Sequence, residues 1–274
     1  MPELPEVETI VRDLRPHLRG RRLEAVLSLN PVVLRFPSAE SFRAAAEGAV
    51  FGVLGRRGKF IHAPLSSGEH LVVHLGMTGT LTLDPAAEPV RPHTHLRLRL
   101  DSGQELRYRD PRRFGRVLLG SARQLTKAGL LPSLGPDPLA RTFAGWPEDG
   151  RVRSSRRAVK AVLLDQQVVA GCGNIYADEA LYLGRLRPTR AAASLSASQW
   201  ARLAAALTVV MREAIRRRGT SFSDYRDGFG ARGEAYESLM VYGRAGLPCV
   251  RCGRKLVSRR IAGRTTVYCR WCQR

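Results

Sequence analysis

Val7, Ile10, Val11, Leu14 and Leu18 recur at three- and four-residue steps, so residues 6–18 predict an amphipathic helix. From about residue 22 to 118 the pattern changes. LEAVLSL (23–29), HLVVHLGM (70–77), HLRLRL (95–100) and ELRYRD (105–110) are short, often alternating, and separated by Gly, Pro or Asp. They predict strands of an antiparallel sandwich or barrel. Within Leu96-Arg97-Leu98-Arg99-Leu100 one face is apolar and the other basic, the pattern of a half-buried strand whose arginines are solvated. Residues 136–150 are rich in Pro and Gly and predict a linker. Helical periods then follow at 156–169, 174–184 and 195–217. The stretch GTSFSDYRDGFGARGE (219–234) is polar, Gly-rich and longer than a typical connection, so it is a candidate mobile functional loop. The reading is an α+β chain in four parts: a β-rich domain at 1–135, the linker, a helical domain at 151–240 and a small module at 241–274.

Composition sharpens this. The 274 residues carry 45 Lys and Arg against 24 Asp and Glu, a net charge of +21. Only Lys59, Lys127, Lys160 and Lys255 are lysines; the other 41 cations are arginines. The planar guanidinium fork suits phosphate and base edges, which points to nucleic acid. No apolar run is long enough to span a membrane, and MPELPEVETI lacks the basic-then-apolar start of a signal peptide. Five cysteines do not make a disulfide scaffold, so a reducing, cytoplasmic setting is expected.

Four of those cysteines carry the strongest local signal. Cys249-x2-Cys252 and Cys269-x2-Cys272 have the spacing of a closed, structural Zn²⁺ site. A redox CxxC is the alternative, and the second CxxC at this distance disfavours it. A module this short cannot build its own core, so the metal would supply its folding energy. Residues 249–274 hold eight cations and no acid. Between the cysteine pairs, SRRIAGRTTVYC predicts a β-hairpin turning at Ala262-Gly263, with Arg264 beside the tip. There a phosphate or catalytic role competes with a structural one.

In DQQVVAGCGNIYADEA (165–180), Gly171 and Gly173 break a helix and Asn174 is placed to cap the next. A helix N-terminus is a ready phosphate site. The preceding RVRSSRRAVK adds Arg151, Arg153, Arg156, Arg157 and Lys160, either a phosphate-docking run or a solvated face. At the other end, Pro2 is small enough that Met1 should be removed. A free proline amine can attack a sugar aldehyde carbon and form an iminium that cannot lose its charge by shedding an N–H. Glu3 stands beside it as acid or base.

These features occur in one order: MPELPEVET, GRRGKF (55–60), HLGMTG (74–79), DPRRFG (110–115), VAGCGNIYADE and the four-cysteine finger. The series closely resembles the bacterial formamidopyrimidine-DNA glycosylase (8-oxoguanine DNA glycosylase) family from Pro2 to Cys272. The resemblance implies an N-terminal antiparallel β-sandwich with flanking helices, then a helix-two-turns-helix domain with a zinc-finger β-hairpin. It further implies damaged double-stranded DNA in the cleft between them, with the lesion nucleotide flipped out. It implies one structural Zn²⁺, a monomer, no membrane partner, and base excision followed by β,δ-elimination. Pro2 matches the nucleophile, Glu3 the residue that protonates the sugar ring oxygen, Lys59 the general acid/base, and Arg264 the finger arginine assigned to δ-elimination. Met77, Arg112 and Phe114 match residues that fill the gap left by the flipped base. His74, His93, Lys160 and Asn174 fall at DNA-facing positions, and the 219–234 loop matches the one that covers the everted base.

The nearest rival is the sister endonuclease VIII branch, which removes oxidised pyrimidines. Leu4 and the Met77, Arg112, Phe114 set favour the purine branch. A non-enzymatic DNA-binding zinc protein is disfavoured by the intact Pro2, Glu3 and Lys59. A ribosome-associated basic protein would explain the charge but not the N-terminal motif.

Overall fold

A computed structural model describes residues 2–222 and 224–274. The chain forms two compact units, residues 1–132 with 217–236, and residues 133–216 with 237–274.

In the first unit, helix α1 (Leu4–Leu18) buries the apolar stripe read from the sequence. Strands β1 (Leu23–Leu29), β7 (Thr94–Leu100), β8 (Gln104–Arg109) and β6 (Thr80–Pro85) form one sheet in that order, with every pair antiparallel. The second sheet runs β2 (Leu34–Phe36), β9 (Arg116–Gly120), β5 (His70–His74), β4 (Phe60–Pro64), β3 (Gly55–Arg57). One short edge pairing, β2 with β9, is parallel. Helices α2 (Ala39–Ala46) and α3 (Ala122–Lys127) flank the sheets. The core joins α1 to inward residues of both sheets, including Leu96, Leu98, Leu100, Ile61, Val73 and Val117.

The outward arginines of β7 are not simply solvated. Arg97 and Arg99 reach across to Glu105 on β8, which also binds Arg107. Glu105 has no exposed side-chain surface. Burial acts to raise its carboxyl, but the three guanidiniums overcome that and hold it at about 2.

In the second unit, the Pro/Gly segment 136–150 is more than a linker. Phe143 and Trp146 are buried and stacked on each other, and Trp146 meets Trp200 edge-on. Helices α4 (Gly150–Arg153), α5 (Val159–Leu164), α6 (Asn174–Leu183) and α7 (Ala197–Arg216) follow. The expected helix over 156–169 shrinks to α5, because residues beyond Leu164 turn under the hydrogen bonds of Asp165 and Gln166. Toward the C-terminus lies the antiparallel hairpin β10 (Val257–Ile261) and β11 (Arg264–Tyr268), turning at Ala262-Gly263 as expected. Both turn residues have positive φ, at 47° and 72°, as a two-residue hairpin turn requires.

Residues 217–236 do not belong with the helical body, contrary to the expected 151–240 domain. They pack in the first unit because Tyr225 enters its core and the Thr220 N–H donates to Glu6 on α1.

Candidate functional site

Pro2 and Glu3 are buried at the head of α1. The Glu3 N–H donates to Glu6 Oε2 at 2.8 Å, closing the first helical turn. Helix α1 lies against β3 and β4, and Arg56 Nε ties that hairpin to Glu8 at 2.9 Å. Lys59 sits at the turn between β3 and β4, only 7% exposed. The first unit thus packs the helix that begins at the N-terminal pair against the hairpin that carries the lysine.

A second constellation surrounds Asp110, which is fully buried. Its carboxylate accepts from Thr78 Oγ1 (2.5 Å), Tyr108 Oη (3.1 Å) and the Gly115 N–H (2.8 Å). Thr78 Oγ1 in turn accepts from the Arg112 N–H. Asp110 thereby welds the turn after β5 to the loop between β8 and β9. A Cβ on Gly76 (φ +62°) would collide with the Phe114–Gly115 backbone, and one on Gly115 with the Tyr108 hydroxyl. The two loops touch backbone to backbone because only glycine fits. What they display is exposed: Met77 (38%) and Phe114 (55%), with the Arg112 guanidinium over the Phe114 ring. These side chains are held by their backbones while their surfaces stay open to solvent.

His93 is exposed with φ +67°, and its carbonyl accepts from the Asp110 N–H. His74 packs on Phe60, and its Nδ1 accepts from the Gly76 N–H. Burial, then Arg116 and Lys59, push its imidazole down to about 4 against a smaller opposing pull from Asp110. His74 is therefore a neutral ring at pH 7, bonded to the turn that carries Met77.

In the second unit the structure corrects two expectations. Lys160 is not a surface cation. Its side chain has no exposure, and Nζ lies 2.6 Å from Asp178 Oδ1, donating also to Thr266 Oγ1 and the Thr265 carbonyl. A buried ammonium needs such partners, so its charge serves the interior. Arg156, four residues earlier in the run, is exposed, whereas its neighbour Arg157 pairs with Asp165. Asn174 is not the helix cap either. Gly173 occupies that position, and Asn174 Nδ2 donates to the Thr265 carbonyl at 3.0 Å. Asn174, Lys160 and Asp178 thus grip residues 265–267, Asp178 through the Val267 N–H. Arg264, immediately before them, is exposed at the hairpin tip.

The sulfurs of Cys249, Cys252, Cys269 and Cys272 all lie within 4.8 Å of one another. The separations 249–272 and 252–269 are 3.9 and 3.6 Å, matching the edge of about 3.8 Å expected for a tetrahedron with 2.3 Å Zn–S bonds. This is a site for one structural Zn²⁺. Among the described residues no helix is long and apolar enough to cross a membrane.

The model of the formamidopyrimidine-DNA glycosylase N-terminal domain matches residues 1–117, that of the formamidopyrimidine-DNA glycosylase H2TH domain residues 134–226, and that of the zinc finger found in FPG and IleRS residues 246–274. The formamidopyrimidine-DNA glycosylase of Desulforamulus reducens is 42% identical over 100% of this chain and 99% of its own length. The chain belongs to the formamidopyrimidine-DNA glycosylase family. The Moorella thermoacetica relative is 45% identical over 93% of each chain. Among solved structures, the MutM (Fpg) protein of Thermus thermophilus superposes with a TM-score of 0.87 at 44% identity, covering 99% of this chain and 98% of that one. The Lactococcus lactis Fpg in complex with an abasic-site DNA superposes with a TM-score of 0.88 at 31% identity, covering 99% of each.

In this member of the formamidopyrimidine-DNA glycosylase family, sequence reasoning missed the groups that hold the site in shape: Asp110, Glu6 and the pair Asp178-Glu179. Glu179 is 3% exposed and accepts from the N–H groups of Met240, Val241 and Tyr242. Burial pushes the Glu179 carboxyl up, and those three donors pull it back. One signal was available. Two adjacent acids in the otherwise apolar NIYADEALYL have no solvated face to occupy, so they must find buried partners.

Proposed function

We propose that this chain is a base-excision-repair DNA glycosylase with AP lyase activity that removes oxidised purines, 8-oxoguanine and formamidopyrimidines, from duplex DNA. With Met1 removed, the secondary amine of Pro2 attacks C1′ and displaces the damaged base. The sugar ring opens to an iminium on Pro2, with Glu3 protonating the ring oxygen. Lys59 moves protons in base release and in the first elimination, which takes a C2′ proton and breaks the C3′–O bond. Arg264 grips phosphate during the second elimination, which breaks the C5′–O bond. Met77, Arg112 and Phe114 fill the space vacated by the flipped nucleotide: an adaptable thioether, a guanidinium for the orphaned cytosine and an aromatic wedge. His93, Asn174 and, in place of the buried Lys160, Arg156 contact DNA, while His74 sets the Met77 turn. Cys249, Cys252, Cys269 and Cys272 would hold one Zn²⁺, whose binding would supply the folding energy of the finger that presents Arg264.

The observation that carries this reading is the buried Pro2-Glu3 pair at the head of a helix that packs on the Lys59 hairpin. Borohydride trapping tests it. Duplexes with 8-oxoguanine opposite cytosine and with thymine glycol are incubated in parallel, using the native N-terminus and a form extended ahead of Pro2. The expected result is an adduct that forms faster on the 8-oxoguanine duplex and is lost in the extended form. A preference for thymine glycol would move the substrate to oxidised pyrimidines. Trapping by the extended form would refute the iminium.

A further inference from the structure

The 219–234 segment reads in sequence as a mobile loop, yet it is fastened to α1 at two places. At the first, the Thr220 N–H donates to Glu6 Oε1 at 2.8 Å, and the hydroxyl of Tyr225, 6% exposed, donates to the Arg218 carbonyl at 3.1 Å and more weakly to the Glu6 carbonyl at 3.4 Å. At the second, the Arg218 guanidinium bridges two carboxylates, Asp13 at 2.7 Å and Asp227 at 2.5 Å. The same Asp13 oxygen accepts from the Gly228 N–H at 3.1 Å. The other Asp227 oxygen accepts from the N–H groups of Phe229 and Ala231, and the Gly228 carbonyl accepts from the Leu83 N–H at 3.1 Å. A Cβ on Gly228 would stand 2.7 Å from that of Asp13, so the loop backbone lies directly on the helix. Arg218 is held at φ +59°, an uncommon conformation for a side chain of its size. Between the two fastenings, Phe222 and Asp224 stay exposed.

We propose that Asp13, Arg218 and Asp227 form a latch that sets the closed position of this loop, and that they act as positioning residues for base excision. The inference rests on the reading that the loop covers the everted base. One guanidinium serves two carboxylates that are nearly or wholly buried, at 9% and 1% exposure. Removing it leaves two like charges facing each other across the loop–helix contact, which drives them apart. Removing the Asp13 charge leaves the Arg218–Asp227 pair whole and weakens only the tie to α1. Asp13 stands ten residues along α1 from Glu3, about 15 Å at the helical rise, so the latch acts on the step that needs the base covered and not on the steps after the base has left.

The test uses the full-length zinc-loaded protein and the variants Arg218→Gln, Asp13→Asn and Arg218→Lys. Three readouts are compared: single-turnover excision from an 8-oxoguanine duplex, cleavage of an abasic duplex, and amide hydrogen exchange over 217–231. Arg218→Gln is expected to slow excision roughly tenfold while abasic cleavage holds, with faster exchange at Thr220, Gly228 and Ala231. Asp13→Asn should show a smaller loss, and Arg218→Lys should recover part of it. Parallel losses in excision and abasic cleavage would overturn the latch in favour of a general structural role. Faster exchange with unchanged excision would overturn its part in the reaction, and unchanged exchange would overturn the latch itself. If the wild type cleaves abasic DNA but leaves 8-oxoguanine in place, the proposed substrate falls, and the exchange data still decide the latch.

Discussion

Two buried carboxylates hold the exposed residues of this enzyme in place, and they do so differently. Asp110 in the first unit and Asp178 in the second both have no solvent exposure. Asp110 is satisfied by neutral donors drawn from three segments: a threonine, a tyrosine and a backbone N–H. Asp178 is satisfied by one ammonium and one backbone N–H. The first arrangement spreads its charge over many weak partners and sets the loops that display Met77, Arg112 and Phe114. The second concentrates it on Lys160 and sets the strand that follows Arg264. A carboxylate with distributed partners loses a fraction of its support when one is removed. A carboxylate with one cation loses its whole counter-charge, and burial, which already pushes Asp178 up to about 6 beside Lys160, then forces a proton onto it.

The largest expected effect follows from that asymmetry. Lys160→Met should cost about 3–5 kcal/mol of stability, because it leaves buried Asp178 without its cation and folding must then protonate the carboxyl. Adding Asp178→Asn should recover most of the loss, since the amide oxygen still accepts from the Val267 N–H. Thermal unfolding of both variants with zinc bound checks this. If Lys160→Met instead kept its Tm and only flattened the salt dependence of DNA binding by about one phosphate, Lys160 would be a surface contact and the contrast between the two carboxylates would collapse.

That contrast marks the limit of what the sequence reveals. The α1 stripe, the alternation of β7, the hairpin turn and the zinc ligands are local patterns, and local patterns are what periodicity and spacing report. Lys160 reads as one more cation in Arg151–Lys160 because its partner stands 18 residues away, on another helix. Asn174 has the chemistry of a cap, but Gly173 took that place and left the amide to bond Thr265. The docking of 217–236 on the first unit depends on the Thr220–Glu6 contact, 214 residues apart in sequence. Arg97 and Arg99 show the same limit on a smaller scale. The alternation gives their face correctly, but only the β7–β8 register brings Glu105 between them.

The next effect separates the first unit by pH. His74 is held neutral by burial and by Arg116 and Lys59, at about 4 against an ordinary 6.5. The unfolded chain therefore binds a proton at higher pH than the folded one. The stability involved is complete above pH 6.5 and is lost as pH falls from 6.5 to about 4. By linkage it amounts to at most about 3 kcal/mol. His74→Asn keeps an acceptor for the Gly76 N–H and carries no proton. Denaturant midpoints for wild type and variant, measured from pH 7 to 4, should diverge in slope over that interval. Equal slopes would mean that the His74 ring is protonated without penalty, and burial would no longer account for a neutral acceptor beneath the Met77 turn.

The smallest expected effect on stability falls on the most exposed residue. Phe114 is 55% exposed and its position is set by the Gly115 N–H bond to Asp110 and by the Gly76 contact, not by its own ring. Phe114→Ala should therefore change stability by only about 0.5 kcal/mol. Its effect should appear on DNA. A wedge that enters the stack only when the lesion leaves it contributes little to undamaged-duplex binding and much to extrusion. Affinity for an undamaged duplex should hold, while a fluorescent base opposite the lesion should report slower extrusion. Equal losses in both would place the ring in ordinary packing against the duplex. A large loss of stability would show that the ring, and not the buried carboxylate beneath it, holds the loop.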